Sequence, residues 1–496
     1  MGSTVLVTGA TGYIGGRLVP SLVEAGHKVR CVVRSPGKLD DLPWRPSVEV
    51  VKGDADDEAS MTRAMEGVDA AYYLLHSMGG GHDDFAARDR RLAETFRDAA
   101  AVAGLRQVIY LGGLGDDDDD LSAHLRSRHE VGAVLAEGPV PVTELRAAII
   151  IGSGSASFEM LRHLTEVLPV VIAPRWVRTR CQPIAIGDVL HYLVGVLDCE
   201  GARGRVLDIG GPDVITYWDM MQVYAGVAGL RPRRGLPVPL LTPSLSSHWV
   251  GLVTPIPAGL ARPLVDSLTN EVVVRDHTVE DLVPHETLPV PRAIELALEG
   301  DRNLDVPTSW AGAELYGRSP AEPQPSDPEW AGGTVLCDVK EVQVAASPRD
   351  VWETVTAIGG RRGWYAYPFL WALRGLVDRL LGGPGMRRGR RHPDQLRVGD
   401  TVDFWRVEGL ERNRCLRLRA EMKVPGAAWL DFVVEPGAGG GGDRTTLRQT
   451  ARFHPLGLWG RVYWYAMLPF HAFIFQRLAS QLGGAAEARG AARRLS

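Results

Sequence analysis

Gly9, Gly12 and Gly15 stand three residues apart, directly after the apolar run Val5-Leu6-Val7, and carry the plainest chemistry in the chain. The segment Thr8-Gly9-Ala10-Thr11-Gly12-Tyr13-Ile14-Gly15 must turn sharply from a strand into a helix, and each glycine has its own task. The turn needs a residue without a Cβ at the first glycine. The backbone approaches a pyrophosphate at the second, and helix and strand pack closely at the third. Free N–H groups at the helix start then hold the anion. About twenty residues further on, the next strand ends at Arg34, with Lys38 after it. A site built for NAD places an acid there for the ribose 2′-OH, whereas a cation suits a 2′-phosphate, so NADP(H) is expected ahead of NAD(H).

Other chemistries find less support. The five cysteines (Cys31, Cys181, Cys199, Cys337, Cys415) are scattered, with no C-x-x-C pair. That spacing argues against a zinc site or a disulfide framework and suits a reducing, cytoplasmic setting. Asp116 to Asp120 are five adjacent carboxylates without the spacing of a calcium loop, read as a solvated loop. No P-loop, metal-ligand spacing or Ser-His-Asp arrangement is present, and no metal is expected. No signal peptide is read ahead of the first strand, and no apolar run is long enough to span a membrane. Residues 334–496 carry 25 Lys/Arg against 15 Asp/Glu, inside a chain of net charge −5. The basic half either docks on the acidic half or meets an anionic ligand; nothing suggests nucleic acid.

The elements that position these residues follow from periodicity. Strands are expected at Val5–Val7, His27–Val33, Val48–Asp54, Val68–Leu75 and Gln107–Leu111, with helices between them, including one from about Asp83 to Ala103. Such alternation predicts an α/β fold, a doubly wound parallel Rossmann sheet. Gly317 to Pro328 is a linker by composition. Beyond it, strands at Val335–Val344, Thr401–Val407, Cys415–Met422, Ala428–Val434 and Thr445–Phe453, a helix opening at Ser347 and a final helix Trp459–Leu482 describe an α+β domain. Pro469 would kink that last helix. The division expected is 1–315, linker 316–333, domain 334–484 and an Ala/Arg-rich tail 485–496.

The motif T-G-A-T-G-Y-I-G, Arg34 after the second strand, Gly53-Asp54 after the third, Arg146 to Gly154 and Gln182-Pro-Ile-Ala-Ile-Gly-Asp188-Val resemble the short-chain dehydrogenase/reductase superfamily, in its extended, atypical, NmrA-like branch. The likeness covers roughly residues 1–300. It implies that Thr8, Gly9, Thr11, Gly12, Tyr13, Ile14 and Gly15 bind the pyrophosphate and Arg34 the 2′-phosphate. It further implies that Asp54 contacts the adenine and that Leu74, Leu75 and His76 line the cofactor cleft. The catalytic serine, tyrosine and lysine of that superfamily are missing. Gly112-Gly113 fill the serine position, His124 stands for the tyrosine and Arg128 for the lysine. His124 is the candidate proton donor or acceptor, and Arg128 the candidate ribose-holding cation. An acid role for an imidazole predicts turnover falling as pH rises through about 6.5, although Arg128 beside it should lower its pKa.

The C-terminal pattern resembles the helix-grip, START-like fold, and the segments Gly359 to Tyr365, Met386 to Pro393, Val398 to Val407 and Tyr463 to His471 resemble an uncharacterised domain family found fused to such reductases. Apolar residues on the first long helix of this half (Trp364, Phe369, Trp371, Leu376) and on the last predict a largely enclosed apolar cavity of a few hundred Å³ between sheet and final helix. The aromatic final helix, with Trp464 and Phe470, either floors such a pocket, packs a core or touches a membrane surface. Arg387, Arg388, Arg390 and Arg391 either clamp an anion or form a solvated face. Two readings stand: an NADP-dependent oxidoreductase acting on an apolar small molecule, and a cofactor-binding sensor without turnover.

Overall fold

The structure is a computed structural model that describes residues 2–40, 42–76, 85–116, 120–173, 175–237, 258–303, 334–385, 390–392, 395–436 and 444–495. The linker expected at 316–333, the stretch 238–257 and Arg387 and Arg388 lie outside them. The chain divides into two compact units, Met1–Gly332 and Gly333–Ser496.

In the first unit, β1 (Thr4–Thr8), β2 (Lys28–Val33), β3 (Glu49–Lys52), β4 (Ala70–Tyr73), β5 (Gln107–Gly113), β6 (Val142–Ala147) and the strand Val206–Ile209 form one sheet. Its order runs from Val206–Ile209 through β6, β5, β4, β1 and β2 to β3, and every pairing is parallel. Helices cover both faces, so β1 is apolar throughout instead of alternating. Val5 and Val7 face α1 (Tyr13–Glu24) and the helix Ile186–Asp198, through Leu18, Leu22, Val189 and Leu193. Leu6, one residue out of phase, faces α2 (Glu58–Met65), α3 (Phe85–Ala103) and α4 (Ala123–Ala136), through Met61, Phe96 and Val131. The strand order reverses between β1 and β4, which opens a crevice at the carboxyl ends of those strands. A third apolar cluster, around Phe158, Met160, Tyr217, Leu268 and Ile294, builds the lobe beyond that crevice.

The second unit has a six-stranded antiparallel sheet in the order Leu336–Val344, Thr445–Pro455, Gly426–Pro436, Cys415–Ala420, Trp405–Glu411 and Thr401–Val402. The helix Gly457–Leu495 packs on its first two strands. Two expectations change here. The strand expected over Thr401–Val407 breaks at Asp403, whose φ is +55°. Its carboxylate accepts from Trp364 Nε1 at 2.7 Å and from Gly360 N at 3.3 Å, contacts that hold the turn. The expected tail 485–496 is helical to Leu495. Ala486 is fully buried in the core, and Arg493 bonds Asp350 at 2.8 Å and Glu353 at 2.7 Å. The alanine-rich composition is strong helix propensity, and those pairs anchor it. Pro469 lies within this helix without ending it. Arg390 donates to Ile358 O at 2.6 Å, and Arg391 bonds Asp400 at 3.1 Å, so the described part of the arginine cluster braces its own loops.

Candidate functional site

Two depressions sit at the carboxyl end of the parallel sheet and share Gly9 and His76. One, of about 370 Å³, is lined by Thr8, Gly9 and Thr11 of the loop, by Arg34, Ser35 and Lys38 beyond β2, by Asp54 beyond β3, and by Leu75 and His76. The other, of about 360 Å³, takes in Gly12, Tyr13, Ile14, Gly15, Leu74, His124 and Arg128. Its far wall is apolar, with Met160, Tyr217, Leu264 and Leu268. The cofactor-binding and catalytic candidates of the sequence analysis therefore each line one depression or the other.

The loop geometry follows from its glycines. Gly9 has φ +68°, and a Cβ there would lie 2.6 Å from Leu74 O. A Cβ on Gly15 would lie 2.3 Å from Gly9 O, so α1 could not approach β1 as it does. Gly12 is the N-cap of α1 and no side chain caps that end, which leaves first-turn N–H groups facing the crevice as an anion site. Thr8 ties the loop down: its hydroxyl donates to Tyr72 O at 2.8 Å and accepts from Leu74 N at 3.0 Å. Arg34 and Lys38 are exposed, and neither is in a salt bridge with any described residue. Arg88, which the sequence reading missed, joins them in the same depression, 3.8 Å from Asp56.

The inner end holds three polar side chains. His76 Nδ1 is 3.2 Å from Asp89 Oδ2, and Asp89 is 3% exposed. The opposite nitrogen, Nε2, is buried with no partner among the described residues. The His124 ring stands edge-on to His76, with centroids 4.9 Å apart. Arg128 donates to Leu111 O and lies over the Tyr110 ring at 5.1 Å, held against β5 by both contacts. Burial lowers the His76 pKa, opposed by the bond to Asp89 and assisted by Arg128. Burial, then His76 and Arg128, push His124 down to about 3. At neutral pH His124 is uncharged, so an imidazolium acid titrating near 6.5 is replaced by a neutral ring that donates or accepts through its N–H or lone pair.

The missing serine has a steric counterpart. A Cβ on Gly113 would lie 2.9 Å from Leu125 Cδ2, and one on Gly112 would lie 2.6 Å from Glu144 Oε1. Leu125 of α4 and Glu144 of β6 thus fill the space a serine side chain would need. Asp89 had no signature in the sequence, being one of several acids on a charged helix. Among the described residues no group of His, Cys, Asp and Glu is placed to hold a metal ion, and no helix is long and apolar enough to cross a membrane.

The glycine cradle, the uncapped helix and the unpartnered His76 nitrogen fit a dinucleotide, and the family match over residues 9–146 agrees. Residues 9–146 match the NAD(P)H-binding family, and residues 330–478 match a protein family of unknown function (DUF2867). The (4-alkanoyl-5-oxo-2,5-dihydrofuran-3-yl)methyl phosphate reductase of Streptomyces griseus is 30% identical over 238 residues, 46% of this chain and 75% of the relative. The divinyl chlorophyllide a 8-vinyl-reductase of Zea mays is 29% identical over 224 residues, 42% of this chain and 55% of that one. Among solved structures, the triphenylmethane reductase of Citrobacter sp. complexed with NADP(H) is 19% identical with a TM-score of 0.49, over 59% of this chain and 100% of that chain. The chain belongs to the NAD(P)H-binding, reductase-like family of NmrA-like, short-chain-dehydrogenase type, its Rossmann unit joined to a second domain of a family without known function.

Proposed function

We propose that the protein is an NADP(H)-dependent reductase whose acceptor is an apolar, electron-poor small molecule. The observation that carries the reading is the pair of depressions meeting at Gly9 and His76. The cationic end, with Arg34 and Lys38, suits the 2′-phosphate of NADP(H), and the inner end opens on an apolar wall. Thr11 to Gly15 would hold the pyrophosphate, Asp54 the adenine side and Arg128 the ribose. A bound reduced nicotinamide supplies hydride. Where negative charge then develops on an acceptor oxygen, the Arg128 guanidinium stabilises it, and the proton comes from water, which His76, its Nδ1 held by Asp89, can relay by accepting it at Nε2 and passing it on.

Without a tyrosine acid, the site favours acceptors that need little protonation before hydride arrives, such as a conjugated double bond or a quinone. The furanone and vinyl reductases among the relatives carry names of that kind. Oxidation of NADPH by a panel of enones and quinones tests this, with titrations of NADPH and NADH beside it. Tight NADPH binding without consumption by any acceptor would favour the second reading, a cofactor-binding sensor, which the lost Ser, Tyr and Lys and the neutral His124 support.

A further inference from the structure

The second unit contains a cavity of about 290 Å³ between its sheet and the helices Pro368–Leu380 and Gly457–Leu495. Nothing in the reductase reading uses it. Trp371, Trp405, Phe453, Trp464, Ile474 and Phe475 are among its walls, and the rim includes Leu373, Val377 and Phe470, all exposed to solvent. The mouth is therefore apolar as well as the interior, with Arg374 and Arg452 the charged residues of the lining, which suits a ligand with a hydrocarbon body.

Of the polar side chains on the wall, Arg452 is paired with Asp431 at 2.6 Å and Arg374 donates to Lys423 O at 3.1 Å, whereas the Trp405 indole and the His471 ring each present a nitrogen with no partner among the described residues. Trp405 is 4% exposed, and its Nε1, a donor with no acceptor capacity, has no hydrogen bond. The neighbouring indoles contrast with it: Trp364 Nε1 donates to Asp403 at 2.7 Å, Trp371 Nε1 to Ala366 O at 2.9 Å, and Trp429 Nε1 to Glu408 at 2.8 Å. His471 Nδ1 is likewise buried and unpartnered, and the ring stacks edge-on against Trp464 at 4.9 Å. Burial lowers the His471 pKa, so the ring is neutral at physiological pH. A buried donor without an acceptor is costly and rare in folded proteins, and a ligand group is a standard reason for one.

We propose that this cavity binds a neutral apolar small molecule bearing a carbonyl or hydroxyl oxygen. Its hydrocarbon body lies against Trp371, Phe453 and Ile474, and its oxygen accepts from Trp405 Nε1. His471 offers a second hydrogen-bonding atom for a ligand with oxygen at both ends.

The test uses the full chain and two probes of nearly equal shape, acetonaphthone and ethylnaphthalene, which differ by one acceptor oxygen. Tryptophan fluorescence reports binding directly, since tryptophans form the walls, and calorimetry confirms stoichiometry. One site per chain is expected, with the ketone bound about tenfold tighter, the value of one neutral hydrogen bond to an otherwise unpaired donor. Trp405→Phe should bring the ketone down to the affinity of the hydrocarbon and leave the hydrocarbon unchanged. Ile474→Trp, which fills the cavity, should abolish both. Saturable binding of neither probe to the wild type would overturn the proposal, as would equal binding of both. Those two outcomes need no variant to fold. Unaltered discrimination in Trp405→Phe would also overturn it.

Discussion

Replacing Arg34 by alanine separates the two cofactors. Arg34 is exposed at the carboxyl end of β2, in the depression with Thr8, Gly9 and Asp54, and Lys38 lies in the same depression. A hydrogen bond to a charged group contributes about 1.5–3 kcal/mol. At about 1.4 kcal/mol per tenfold change in affinity, that is roughly ten- to a hundredfold. Solvent exposure and the neighbouring Lys38 push the single substitution to the low end, about tenfold for NADPH, with both cations removed approaching a hundredfold. NADH, lacking the 2′-phosphate, should bind both variants as it binds the wild type. The contact lies in water, so the preference should shrink as salt rises from 0.1 M to 1 M and the screening length falls from about 10 Å to about 3 Å. Calorimetric titration of both cofactors at the two salt concentrations gives all of these quantities. Equal wild-type affinity for NADH and NADPH, or a parallel loss of both in Arg34→Ala, would refute the assignment.

Three further outcomes follow from the geometry. Gly9→Ala puts a Cβ 2.6 Å from Leu74 O at a φ of +68°, so cofactor binding should be lost and stability should fall by at least about 1 kcal/mol in chemical denaturation; an unaltered variant would mean the loop is not so constrained. His124 is lowered to about 3 in the folded protein against an ordinary 6.5. Between those values the unfolded chain binds the extra proton, so stability present above pH 6.5 is lost as pH falls toward 3, by up to about 1.4 kcal/mol per pH unit. His124→Phe should flatten that limb, and a stability difference from wild type that stays constant between pH 4 and 6.5 would contradict the burial argument. Ending the chain after Gly484 removes buried Ala486 and the Arg489–Glu353 and Arg493–Asp350 pairs. The melting temperature of the second unit should drop by several degrees, whereas a disordered tail would leave it unchanged.

What could be read without coordinates was local in origin. The glycine spacing reports a backbone that must pass close to Leu74 and Gly9 carbonyls, and the apolar run Val5–Val7 reports a strand buried on both faces. Arg34 was legible because strand, turn and helix lengths place the end of β2 beside the loop with little freedom. The departures from the superfamily at Gly113, His124 and Arg128 were visible as letters too, but not what replaced them. Leu125 filling the serine space, Asp89 orienting His76 and the edge-on pairing of His76 with His124 join residues from separate strands, loops and helices. No periodicity encodes such contacts. The pKa of His124 depends first on burial, which belongs to the packed molecule and not to neighbours in sequence. In the Ala/Arg-rich segment 485–496, likewise, composition alone does not say that Ala486 enters the core or that Arg493 meets Asp350 and Glu353. The order of residues set the elements and the cofactor loop, while the choice of polar groups facing the crevice and the C-terminal cavity came only with tertiary packing, because each rests on side chains that meet from distant parts of the chain.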